Sequence, residues 1–208
     1  MLIKDNSIIL FQGDSVTDAG RDKEEQNDMG KGYPMMVASW FAAAYPELKV
    51  KFINRGISGN RVKDLKARWE EDCLNIAPTW VSILIGINDC WRRYDRNDPT
   101  SVEKYTSDYR DILQQVKDTL NARLILIEPF LLPVTEDKRK WREDLDPKIH
   151  AVRDLAREFG ALLLPMDGIF SKVSTLKEPA FWTKDGVHPT PAGHALIARE
   201  WFKLVRAE

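Results

Sequence analysis

Cysteine is scarce in this chain, with two residues, Cys73 and Cys90, among 208. They form no C-x-x-C pair and share no metal-ligand spacing with the few histidines, so both are expected as reduced, buried thiols. An excess of one charge is also missing. The 31 basic and 32 acidic residues leave a formal net charge of -1, which removes the electrostatic ground for nucleic acid or an anionic membrane as the main partner. No apolar run approaches the roughly 20 residues of a membrane span, and residues 1–11 lack the basic start, long apolar stretch and small-residue cleavage site of a leader. The expectation is a cytoplasmic protein with a small neutral ligand, and the initiating Met1 is read as arguing against a leader already removed. Phosphate-cradling loops are absent too: neither G-x-x-x-x-G-K-S/T nor G-x-G-x-x-G occurs.

What is present suits one domain over residues 1–208, since a chain of this size buries about 70% of its unfolded surface without help from disulfides or metals. Short β-branched apolar runs alternate with longer segments at helical spacing, the pattern of an α/β domain with a mostly parallel sheet. Candidate strands cover residues 7–12, 49–54, 80–85, 123–128 and 161–164, each apolar enough for burial on both faces. Candidate helices cover 33–44, 62–72, 102–120 and 146–159, with a last one from Pro191 to about residue 205. There is no internal repeat or low-complexity tract. The least regular stretches, 18–31 and 129–141, each follow a strand closely, which suits the rim of a site as well as it suits a plain surface loop.

In a doubly wound sheet, ligands bind beyond the carboxyl ends of the strands. Four polar blocks fall there or close the chain: Gly13-Asp14-Ser15, Asn54-Arg55-Gly56-Ile57-Ser58-Gly59-Asn60, Gly86-Ile87-Asn88-Asp89 and Asp185-Gly186-Val187-His188-Pro189. A serine hydroxyl becomes a useful nucleophile when an imidazole accepts its proton and a carboxylate fixes the imidazole's tautomer. Ser15, His188 and Asp185 are the candidates for those three tasks. An acyl-transfer oxyanion also needs donors already in place, for which Gly59 N–H, the Asn88 amide and Ser15 N–H are suited. Read singly, each has a structural use: Ser15 as a turn or cap residue, Gly59 for a positive φ, Asn88 as a helix cap. His150 is read as a solvated helix residue and His194 as a packing or capping group, which leaves His188 as the base. Asp14 and Asp89 adjoin the site, but without a recognised cation-loop spacing they read as structural hydrogen-bonding groups, and neither metal nor cofactor is expected. Trp91 and Trp182 lie near Asn88 and Asp185 in sequence and are candidate platforms for a sugar ring, while Trp40, Trp80 and Trp201 read as packing or interface groups.

These four blocks, in this order, resemble the SGNH (GDSL-type) hydrolases. The resemblance spans almost the whole chain and puts the family's nucleophile on Ser15, its oxyanion glycine and asparagine on Gly59 and Asn88, and its histidine on His188 with Asp185 three places earlier. It implies a flavodoxin-like, doubly wound sheet of about five parallel strands with helices on both faces. A valine follows the serine where many members have leucine or isoleucine. No G-x-S-x-G elbow surrounds Ser15, which separates the chain from the α/β-hydrolases. The segments 56–60, 65–72 and 85–89 further resemble the intracellular acetylxylan esterase branch, which implies removal of acetyl groups from short xylo-oligosaccharides through an acetyl-enzyme, and a homo-oligomer. The rivals are an esterase, thioesterase or lysophospholipase acting on another acyl group, and a sugar-binding protein on the same fold without turnover.

Overall fold

Runs of isoleucine, leucine and valine bounded by polar turns form strands, because side chains that alternate across a pleat can be buried on both faces only when helices cover each side. The computed structural model describes residues 1–206; Ala207 and Glu208, the end of the expected domain, lie outside them. In chain order, β1 (Ile8–Gly13) leads into one helical turn, α1 (Ser15–Asp18), and then α2 (Tyr33–Ala44). β2 (Lys51–Asn54) is followed by α3 (Val62–Ala67) and a π-helical turn over Glu70–Leu74. β3 (Trp80–Leu84) precedes α4 (Ile87–Asp95) and α5 (Val102–Thr119), and β4 (Arg123–Ile127) precedes α6 (Glu136–Lys140) and α7 (Arg142–Phe159). β5 (Leu162–Leu164) is followed by α8 (Met166–Ser174), α9 (Pro179–Trp182) and α10 (Pro191–Arg206).

The five strands are all parallel, in the order β2-β1-β3-β4-β5. The expected doubly wound architecture is therefore present. The chain winds outward in opposite directions from β1 and β3, so a crevice opens at their carboxyl ends. Register aligns those ends: Phe11 pairs with Asn54 and Gly13 with Leu84, which brings the three segments after β1, β2 and β3 out at one level.

Alternation along the strands sorts the core. Ile9, Phe11, Leu84, Ile125 and Ile127 join Val37 and Phe41 of α2, Phe170 of α8 and Leu196 and Trp201 of α10. On the other face, Leu10, Val81, Ile83, Leu124 and Leu126 meet Leu65, Tyr109, Ile112, Val152 and Leu155 from α3, α5 and α7. Cys73 lies in this second core and Cys90 in a smaller cluster with Trp141 and Val187, both as free, buried thiols. Trp201 makes a fully buried polar link between helix and sheet: its indole N–H donates to Ser82 Oγ at 3.0 Å while its ring packs 5.5 Å from that of Phe11.

Two helix boundaries differ from the sequence expectation. The helix expected over 62–72 ends at Ala67, because Arg68 leaves helical geometry and its guanidinium binds Asn60 Oδ1 at 3.0 Å and Asp72 Oδ2 at 2.6 Å. The helix expected from residue 146 begins at Arg142, with Pro147 inside it. Arg142 anchors that extra turn through paired hydrogen bonds to both carboxylate oxygens of Asp167, at 2.7 and 2.8 Å. The ion pair lets the helix start ahead of Pro147.

Replacing Trp201 by phenylalanine leaves the buried Ser82 hydroxyl unpaired, and urea unfolding is expected to show a loss of about 1–3 kcal/mol. The double variant Trp201→Phe/Ser82→Ala should recover part of that loss. A double variant no more stable than the single one would show that the hydrogen bond is not the source.

Candidate active site

The segment after β1 turns sharply. Asp14 caps α1, its Oδ1 accepting from Val16 N at 3.0 Å and its carbonyl accepting from Thr17 and Asp18 N–H. Ser15 is thereby the first residue of α1, with its hydroxyl at the mouth of the crevice. The segment after β2 is fastened to this turn. Asn54 donates to the carbonyls of Thr17 and Met29 at 2.7 and 2.9 Å, and Asp18 Oδ2 accepts from Ser58 N at 2.8 Å and Ser58 Oγ at 3.0 Å. Gly59 follows with φ +86, a conformation that disfavours any side chain.

Asn88 stands in the first turn of α4, where Gly86 holds the cap position, so the alternative reading of Asn88 as a cap does not apply. Its amide is fixed at both ends: Nδ2 donates to Asn60 carbonyl at 3.0 Å and Oδ1 accepts from Arg92 Nη2 at 3.1 Å. The amide orientation follows from these partners and leaves one N–H uncommitted among the described residues. Arg92 was missed in the sequence, although its position one helical turn beyond Asn88 is a signal of such contact.

The third component is a loop between α9 and α10. A bridge between Thr183 and Pro189 closes it, Lys184 N donates to His188 carbonyl at 2.8 Å, and Gly186 N donates to Thr183 Oγ1 at 3.1 Å. Gly186 takes φ +93 and a Cβ there would collide with the carbonyl of Leu132, whose own N–H donates to Gly186 carbonyl at 2.9 Å. Inside this loop Asp185 Oδ1 accepts from Val187 and His188 N–H at 2.9 and 2.8 Å, and Oδ2 lies 2.7 Å from His188 Nδ1. His188 Nε2 lies 3.0 Å from Ser15 Oγ.

The protonation pattern follows from these partners. Burial opposes ionisation of Asp185, but hydrogen bonds from the His188 ring and from the His188 and Val187 amides outweigh it and hold the carboxyl well below the usual range. An ionised carboxylate only accepts, so Nδ1 carries the proton and Nε2 presents its lone pair to Ser15. The Asp185 hydrogen bond raises the His188 pKa against the opposing effect of burial. Asp14 and Asp89 are buried and pushed up to about 7, desolvation being the largest cause in each. His150 is exposed on α7. His194 is pushed down to about 4, chiefly by burial, and its Nδ1 accepts from Tyr33 N at 3.2 Å, a cap for α2. Ser15, Ala19, Lys31, Lys184, His188 and His194 line a cleft of about 500 Å³.

Residues 11–196 match the model of the GDSL-like lipase/acylhydrolase family. The chain belongs to this family. It is 37% identical over its whole length to the acetylxylan esterase of Geobacillus stearothermophilus, covering 98% of that protein, and the crystal structure of that esterase superposes with a TM-score of 0.92. Serine, aspartate and histidine variants of the same esterase, each called a catalytic mutant, superpose equally well, with a TM-score of 0.92. A more distant relative is thioesterase 1/protease 1/lysophospholipase L1 of Escherichia coli, 28% identical over 84% of this chain and 77% of its own length.

In this acylhydrolase the two candidate tryptophans are placed differently. The Trp91 ring lies 5.8 Å from the His188 ring and packs at 5.3 Å on Trp141, with Lys138 Nζ 4.5 Å above it. The loop over 129–141 thus supports the wall beside the histidine. Trp182 instead packs against the core below α10, and its indole N–H donates to Lys177 carbonyl at 3.2 Å.

The raised His188 pKa means that the neutral base is lost as pH falls, so the acid limb of the kcat/KM profile is expected to have its midpoint above the ordinary histidine value of about 6.5. In Asp185→Ala the midpoint should move to lower pH and kcat fall by roughly ten-thousandfold. An unmoved midpoint in that variant would contradict the electrostatic role of Asp185.

Proposed function

We propose that the protein is a serine esterase that removes acetyl groups from carbohydrate esters, with xylo-oligosaccharides as the substrate class. The observation that carries the reading is the unbroken series from Asp185 through His188 to Ser15, opening into a cleft large enough for part of a sugar chain. Ser15 Oγ attacks the ester carbonyl while its proton passes to His188 Nε2, and the new C–O bond drives charge onto the carbonyl oxygen. Ser15 N–H, Gly59 N–H and the free Asn88 amide hydrogen receive that charge. As the tetrahedral intermediate collapses, the bond to the alcohol breaks and His188 protonates the leaving oxygen. Water then enters with His188 again as base, and acetate leaves with Ser15 restored.

Similarity to the acetylxylan esterase supports the acetyl and xylo-oligosaccharide parts of the reading. Trp91, half-buried beside His188, is the aromatic face we assign to a sugar ring; the placement of Trp182 supports packing in its place. Free thiols at Cys73 and Cys90 support a cytoplasmic setting, and among the described residues no helix is long and apolar enough to cross a membrane. Trp40, 52% exposed beside Met35, supports a homo-oligomer in which this apolar face meets another copy.

Acetate release from acetylated xylo-oligosaccharides is the test. The intact protein should release acetate, Ser15→Ala should release none above background, and Asn88→Ala should lose about a hundredfold to a thousandfold in kcat with little change in KM. A wild-type enzyme that cleaves long-chain thioesters or lysophospholipids and spares acetyl sugars would overturn the substrate assignment. Activity retained by pure Ser15→Ala would overturn the nucleophile.

A further inference from the structure

We propose that His194 is a substrate-binding residue of the same cleft, its Nε2–H donating to a hydroxyl or ring oxygen of the sugar alcohol that leaves from Ser15. This assignment rests on the esterase reading and goes beyond it. His194 lines the cleft together with Ser15 and His188 and sits in the first turns of α10, where its N–H donates to Thr190 carbonyl at 2.9 Å. The ring is held by a contact that also fixes its tautomer. Nδ1 accepts from Tyr33 N, the first N–H of α2, and Gly32 before it has no side chain with which to cap that helix.

Since Nδ1 is an acceptor, a neutral ring must carry its proton on Nε2. Burial, with the positive charges of Lys184 and His188 adding to it, disfavours the doubly protonated form. The ring is also confined on the Gly32 side, where a Cβ would lie 2.9 Å from His194 Cε1 and 3.0 Å from Nδ1. Nε2 has no hydrogen-bond partner among the described residues, yet it is not one of the buried nitrogens cut off from solvent. A neutral donor without a protein acceptor is therefore left accessible on a residue that lines the cleft.

Its neighbours along that wall point to the chemistry of the ligand. Lys31 and Lys184 are exposed, line the same cleft and make no ion pair among the described residues. Lys31, Lys184 and His194 set three donors along one wall, while the Asp185 carboxylate that also lines the cleft is engaged by the His188 ring and two amides of its own loop; such a wall suits a partner rich in acceptor oxygens. An acyl chain offers none. The wall therefore suits the polyhydroxylated alcohol side of the ester.

A pair of substitutions separates the binding role from the cap. In His194→Asn the side-chain oxygen can take the place of Nδ1 toward Tyr33 N–H while the outer donor is lost; His194→Gln keeps an outer amide donor and gives up the inner acceptor. For each variant, kcat/KM is measured on an acetylated xylo-oligosaccharide and on an aryl acetate whose leaving group has no hydroxyls, together with the urea unfolding midpoint. The sugar-to-aryl ratio of kcat/KM is expected to fall about three- to tenfold in His194→Asn, the range for one neutral hydrogen bond, with little change in midpoint. His194→Gln should hold the ratio and lower the midpoint. An unchanged ratio in His194→Asn overturns the proposal, as does an equal loss of ratio in both variants. A wild-type protein that cleaves the aryl acetate but spares every acetylated sugar overturns the sugar reading itself, and this assignment with it.

Discussion

The hydrogen bond between Asp185 Oδ2 and His188 Nδ1, 2.7 Å long, governs the rest of the site because it decides which imidazole nitrogen is basic. Without it the ring could turn or change tautomer, and Ser15 would face an N–H in place of a lone pair. The bond in turn depends on backbone. Asp185 is aimed by two amides of its own loop, and the loop is shaped by a glycine whose missing Cβ lets the Leu132 carbonyl approach. Leu132 belongs to the chain leaving β4, so the sheet reaches the histidine through main-chain contact.

Around that bond, charge is distributed in a way that suits the transient imidazolium and oxyanion of the proposed reaction. Asp185 stays ionised and raises the His188 pKa. Burial lifts the pKa values of Asp14 and Asp89, which lessens the negative field beside the proposed oxyanion site. The donors are held by unlike means: Asn88 is clamped between Asn60 and Arg92, whereas Gly59 is held by the fastening of its neighbour Ser58 to Asp18. Both fastenings join loops from different strands, so the proposed oxyanion donors are positioned by the register of β1, β2 and β3.

The strands were legible because their apolar runs are short and bounded by polar turns, and their observed limits lie within two residues of those read from sequence. Ser15, Asp185 and His188 were legible because reactive residues cluster where strands end, and the structure brings all three into hydrogen-bonding distance. What remained hidden was contact between distant segments. The early end of α3 depends on Arg68 reaching Asn60 and Asp72, and the early start of α7 on Arg142 reaching Asp167. The cap that His194 supplies to α2 joins residues at opposite ends of the chain, and no local pattern carries that information. Nearness in sequence did not separate the two tryptophans: Trp182 is partly buried against the core, while Trp91, much farther along the chain from His188, lies beside its ring.

The central claim is that Ser15 is the group activated by His188. It is tested most directly by reacting the protein with a serine-directed phosphonylating reagent and locating the adduct by peptide mass spectrometry. One adduct per chain, on Ser15, forming more slowly as His188 becomes protonated, is the predicted result. An adduct on another residue, or no reaction in a folded and monodisperse sample, would contradict the account.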